Sequence, residues 1–161
     1  QQVVREHALA LAAQSDRPAD AVGVKLTPLE RTQTDTTLDY EFVSIAIDRA
    51  ARNATLTVKA PGAPQPTDIA GIEAAGVQWW PLQMTRELDD AILHMRTNEL
   101  DIGTWILKTQ GMPQAVLDVD ATLLAHQSHW LMRETIGFMR RTFARLDVSS
   151  RSLFALIDAG S

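Results

Sequence analysis

Residues 41–48 read EFVSIAID and residues 54–59 read ATLTVK, with RAARN at 49–53 between them. These two runs decide the fold. Both alternate apolar and polar side chains, and a period of two over adjacent runs predicts an antiparallel hairpin. Downstream the period changes. Trp80, Met84, Leu88, Ala91, Ile92 and Met95 recur at steps of three and four, with Arg86, Glu87, Asp89 and Asp90 opposite. That spacing predicts a helix over 79–98 that lays one face on a sheet. A short aliphatic strand comes next at 102–108, and Gly111 and Pro113 break the chain after it.

A second long helix is expected to begin near 114–120 and run to about Leu146. Its broad apolar face is formed by Val119, Leu123, Trp130, Leu131, Phe138, Met139, Phe143 and Leu146, and 147–150 (DVSS) close it. Residues 152–157 (SLFALI) then form a last strand, apolar enough to be covered on both faces as parallel strands are, and in the chain as given one side is expected to stand open as an apolar patch. Strands separated by helices imply parallel pairing through right-handed crossovers, so the class is α/β.

Upstream of the hairpin, Val4, Ala8, Leu11 and Ala12 fall at helical spacing while Arg5, Glu6 and Gln14 face away. Ser15-Asp16-Arg17-Pro18 ends that helix, because proline disfavours helical geometry in the residue before it. We read 1–15 as the terminal helix of an upstream unit, the alternative being the ordinary first helix of a small complete protein. Residues 16–37, rich in Pro, Thr, Asp and Gly, exceed the ~12–15 residues usual for a structureless loop inside one domain, and read as a linker. Residues 38–161 would be the N-terminal part of a second domain. Within it, APGAPQP at 60–66 separates the hairpin from the helices. Thr67 or Asp68 is the expected cap of a short helix reaching Ala75, which Gly76 ends. Trp79 and Trp80 are expected in a core or interface, a ring-stacking ligand platform being the alternative.

Composition narrows the function classes. A chain of 161 residues with 45% hydrophobic and 22% charged content is ordinary for a globular domain with a sizeable core. A net charge of −5 without a basic run argues against a general nucleic-acid binder. Arg140, Arg141 and Arg145 form a small patch that reads as a solvated face or an internal ion pair. The absence of cysteine excludes disulfides and thiolate metal sites. No apolar run approaches the ~18 residues of a membrane span.

His126 and His129, three apart with Asp120 and Glu134 nearby, raise a metal site. Zinc-hydrolase helices space their histidines by four around a glutamate, and no third ligand stands at a recognisable spacing here. Surface or interface roles are expected for both. No Gly-x-Ser-x-Gly elbow and no Gly-rich phosphate loop is present. Asp118 and Asp120 read as first-turn residues placed by the helix dipole.

Longer strings carry a more specific signal. They are WWPLQM at 79–84 leading into RELDDAI at 86–92, RTNELDIGTW at 96–105, RETIG at 133–137 and RLDVSSRSLFALI at 145–157. On these the chain resembles the crotonase (enoyl-CoA hydratase) superfamily, and most closely the benzoyl-CoA-dihydrodiol lyase family of aerobic benzoate breakdown. The resemblance implies a protein of two crotonase-like (ββα spiral) halves, with 1–14 finishing the first and 38–161 opening the second. It also implies an acyl-CoA thioester as substrate, no cofactor, a cytoplasmic homodimer, and catalytic carboxylates in the upstream half. The implied reaction converts oxygenated, dearomatised benzoyl-CoA to a ring-opened semialdehyde CoA thioester with loss of formate.

In that superfamily two backbone N–H groups stabilise the enolate oxygen of the thioester. One lies in an Ala-Gly-x-Asp loop, the other in a Gly-Gly loop after the next strand. Leu117-Asp118-Val119-Asp120 occupies the first place, where only Asp120 matches and Asp118 replaces the glycine. Leu117 and Asp120 are thus the substrate-binding position the resemblance implies, in vestigial form. The second loop would come after Ala159-Gly160-Ser161. Two other readings stand beside the lyase: a crotonase-type hydratase or isomerase using the loop at Leu117, and a non-enzymatic α/β interaction module.

Overall fold

The computed structural model describes residues 1–15 and 20–157. The hairpin forms as its alternation requires. Strands β3 (Val43–Asp48) and β4 (Asn53–Lys59) pair antiparallel from Val43↔Val58 to Asp48↔Asn53. Val43, Ile45 and Ile47 are buried while their neighbours are not. Arg52 takes a positive φ of 54° in the connecting turn, where its N–H donates to the Arg49 carbonyl.

Two short strands precede the hairpin, the first inside the stretch read as linker and the second beginning at its last residue. These are β1 (Thr32–Gln33) and β2 (Thr37–Asp39), and β2 pairs antiparallel with β3. Leu38 is the buried residue of β2 and joins the core. The sheet therefore reaches further upstream than the hairpin alone predicts.

Past the hairpin the sheet turns parallel. Strand β5 (Thr104–Gln110) pairs parallel with β4, and β6 (Ser152–Ala155) pairs parallel with β5, giving a six-stranded order β1-β2-β3-β4-β5-β6. Helix α2 (Ile69–Ala75) is capped by Asp68, whose Oδ1 accepts the Gly71 N–H at 2.7 Å. Helix α3 (Trp80–Asn98) buries Trp80, Leu88, Ile92 and Met95, and packs on β3 and α5. Trp79 and Trp80 are core residues, and the Trp80 indole N–H donates to the Lys59 carbonyl at 3.0 Å.

Two expectations are corrected. The second long helix is two helices, α4 (Pro113–Ala125) and α5 (Trp130–Asp147). They are split by a turn in which the His129 N–H donates to the His126 carbonyl at 2.9 Å. Glu87 does not lie on a solvated face of α3; it is 2% exposed. The last strand leaves an apolar side open as expected, with Phe154 60% exposed while Leu153 packs against the core. That strand ends at Ala155, and the expected Ala-Gly-Ser junction lies outside the described residues. Helix α1 (Gln2–Ala12) forms as its spacing requires and buries none of its residues.

Candidate functional site

Parallel strands β4 and β5 end side by side, and the segments just past their ends form the two walls of a groove. Ala60 N–H donates to the Gln110 carbonyl at 2.7 Å, so the strand ends are tied together. Gly111 then turns away with a φ of 118°, and a Cβ on it would stand 2.8 Å from the Ala60 Cβ. Only glycine fits that crossing. The proline loop forms one wall of the groove, which holds about 740 Å³, and Met112 with the inner face of α4 forms the other. Its position outside the carboxyl ends of parallel strands is where open α/β sheets take ligands. Asp118 is the single carboxylate in its lining, and it accepts a hydrogen bond from Gln114 Nε2 at 2.8 Å.

The residues expected to hold a substrate oxygen do not form a loop here. Leu117 and Asp120 lie inside α4, which begins at Pro113, and both are exposed. From the fifth residue of a helix onward each N–H is spent on the carbonyl four residues back. The backbone of Leu117–Asp120 thus has no free donor to aim at a thioester oxygen. Asp118 is also past the first turn, so the dipole role read for it is corrected to a side-chain contact with Gln114 within the helix.

The two histidines grip helix α2 from the α4–α5 turn. His126 Nε2 is 3.0 Å from the Thr67 carbonyl, and His129 Nε2 is 3.4 Å from Glu73 Oε1. Among the described residues no three His, Asp or Glu side chains gather as a metal site. Of the basic patch, Arg145 is an ion-pair partner, with Nη1 2.7 Å from Asp89 Oδ1 across the α3–α5 contact.

A second groove, about 760 Å³ and polar, lies between α3, the β2–β3 turn and residues 27–32. Its chemistry comes from one stripe of α3. Gln83, Arg86, Glu87 and Asp90 stand at steps of three and four and so share a helix face. Glu87 Oε2 accepts the backbone N–H groups of Phe42 at 2.7 Å and Val43 at 3.1 Å. Gln83 Nε2 donates both to Glu87 Oε1 at 3.0 Å and to Glu41 Oε2 at 2.6 Å. Burial pushes the Glu87 carboxyl above the ordinary glutamate value, and the three donated hydrogen bonds offset that only in part. Tyr40 donates its hydroxyl to Asp90 Oδ2 at 2.6 Å, and burial together with that carboxylate raises the phenol, which stays protonated.

The reading of α3 as an apolar face opposed by solvated charges misses this stripe. A polar residue at helical spacing carries no mark of burial when its partners are backbone N–H groups 44 and 45 residues away.

Fold and grooves define the class: a mixed α/β unit with parallel crossovers and a ligand-sized groove at the strand carboxyl ends. No family profile matches the chain. Over 158 residues, 98% of its length, it is 59% identical to the benzoyl-CoA-dihydrodiol lyase of Aromatoleum evansii, and it spans 28% of that protein's length. The match bears out the resemblance to the benzoyl-CoA-dihydrodiol lyase family.

Proposed function

We propose that this chain is a scaffolding segment of a CoA-thioester ring-cleaving lyase. In this reading the parent protein converts oxygenated, dearomatised benzoyl-CoA, with uptake of water, to a semialdehyde CoA thioester and formate. It works in the cytoplasm as a homodimer, and its only small-molecule partner is the acyl-CoA. The carrying observation is the identity of 59% over nearly the whole chain to a protein bearing the lyase name. The division of labour is supported by α4, whose ladder leaves Leu117 and Asp120 no donor for an oxyanion. It is supported also by Glu87, the most deeply buried carboxylate described, whose oxygens are already occupied by Phe42, Val43 and Gln83. The exposed apolar residues of α1, Val4 and Leu11 among them, fit a helix that docks on an upstream crotonase-like half.

Turnover of a dihydrodiol- or epoxy-benzoyl-CoA tests the reading. The parent protein should release formate, and the 161-residue chain alone should release none. Formate from the isolated chain would overturn the scaffold role, and none from the parent would overturn the lyase reading.

One observation favours a second reading, in which this segment itself binds an acyl-CoA as a hydratase or isomerase domain does. The groove between the proline loop and α4 stands where an α/β sheet takes a ligand and is lined mainly by small and apolar residues such as Pro61, Ala115 and Val119. Titration of the isolated chain with benzoyl-CoA separates the two, since binding at micromolar concentration belongs to the second reading alone.

A further inference from the structure

Residues 22–31 cross α3 in a way the rest of the chain does not. Among the described residues, no main-chain hydrogen bond ties this stretch to other backbone. It is held instead by side chains. Arg86 Nη2 donates to the Thr27 carbonyl, Arg31 Nη1 donates to Asp90 Oδ2 at 2.5 Å, and Val24 and Leu29 rest half-buried against the core. Next to it the chain changes character. Thr34 N–H donates to the Thr37 carbonyl, β2 joins the sheet, and the β2–β3 turn is fixed to the buried Glu87.

The anchoring residues on α3 therefore fall into two tiers. Glu87 holds the turn from within through Phe42 and Val43, where neither water nor salt competes well, and Gln83 adds an exposed contact to Glu41. Asp90 and Arg86 hold 22–31 from without. The side chains of Arg31 and Asp90 are 37% and 39% exposed, and such a pair adds little and is screened by salt. Between the tiers lies the polar groove, which residues 27–32 wall on one side.

We propose that residues 22–31 form a strap that opens from α3 without unfolding the sheet, with the Arg31–Asp90 pair as its catch, uncovering the polar groove over Gln83 and Glu87. This rests on the contacts of the strap alone and stands or falls independently of the lyase reading.

The chain has no cysteine, so a single thiol reports on the strap. Leu29→Cys places it under the strap, and trypsin cleavage after the exposed Lys25 gives a second measure in the otherwise unaltered chain. Both track the population of the opened form when reclosing is fast. Asp90→Asn keeps an oxygen for the Tyr40 hydroxyl and removes the charge opposite Arg31. It should raise labelling at Leu29→Cys and cleavage after Lys25 three- to tenfold, with the thermal midpoint unchanged. Salt at 1 M should raise both rates where Asp90 is intact, labelling being read in Leu29→Cys, but add little in Asp90→Asn. The proposal is overturned if the thiol already reacts as fast as a free one, if Asp90→Asn leaves both rates unchanged, or if both rise only together with global unfolding.

Discussion

Oε2 of Glu87 lies 3.1 Å from the backbone nitrogen of Val43, and the same oxygen takes the N–H of Phe42 at 2.7 Å. One buried carboxylate on α3 thus satisfies two donors at the point where the chain enters β3. Replacing it with alanine orphans both. Each buried unsatisfied donor costs about 1–3 kcal/mol, so Glu87→Ala should lower the unfolding free energy by about 2–6 kcal/mol in urea titration. Glu87→Gln keeps an oxygen for both donors and discards a desolvated charge. It should cost no more than about 1 kcal/mol, roughly the worth of one rearranged hydrogen bond. Equal losses for the two variants would show that the pair of N–H bonds is not what matters.

The same residue sets a pH dependence. Burial raises the folded Glu87 carboxyl above its ordinary value of 4.5. The folded chain therefore holds this proton at pH values where the unfolded chain has lost it. Stability from this group is present in acid and is lost as pH rises through the folded value. Between 4.5 and that raised value, the parent sequence should gain stability relative to Glu87→Gln as pH falls. Denaturation at several pH values from 4 to 7 checks it, and the opposite slope in the difference would mean the carboxylate is stabilised by its donors rather than destabilised by burial.

How much of this is legible in the residues depends on where each partner lies. The hairpin of Val43, Ile45 and Ile47, and the helix of Leu88, Ile92 and Met95, are written in local periodicity, so their elements appear where expected. Asp68 is one of two expected caps, and the cap it forms reaches only three residues. The β1–β2 pair is not legible, because Thr32–Gln33 and Thr37–Asp39 are short and largely polar, and become strands only as β2 pairs with β3 and β1 with β2. The break at His126 has no glycine or proline to announce it. Its cause is tertiary, since His126 and His129 turn to meet Thr67 and Glu73. Leu117–Asp120 reads as a loop only by analogy of position, while Pro113, favoured at a helix start, commits that stretch to α4.

Asp89 offers a test of the α3–α5 contact. Its Oδ1 accepts from Arg145 at 2.7 Å and from the buried Thr142 hydroxyl at 3.3 Å. Asp89→Ala leaves that hydroxyl without its partner and frees a charge at a partly buried seam, a loss expected at about 1–3 kcal/mol. Asp89→Asn, which keeps an acceptor for both, should cost less. If the alanine variant melts with the parent sequence, the contact is incidental and α5 is held by its apolar residues, Leu131, Met132, Phe138 and Leu146 among them.

The last prediction concerns β6. Its hydrogen-bond partner β5 covers one edge, while Phe154, Leu156 and Ile157 are 60%, 46% and 89% exposed. Parallel strands are stable when both faces are covered, and an apolar edge strand is a template for pairing with another chain. Helix α1 adds Val4 and Leu11, also exposed, on an element shorter than isolated helices need in water. The chain on its own should therefore bind a hydrophobic dye and self-associate at micromolar concentration, as large exposed apolar patches do. Phe154→Lys places a charge on the edge and should weaken association about tenfold or more with little change in the far-ultraviolet circular dichroism. Sedimentation velocity over a hundredfold concentration range decides it. A stable monomer that leaves the dye dark would mean these residues are tolerated singly at the surface and do not form an interface.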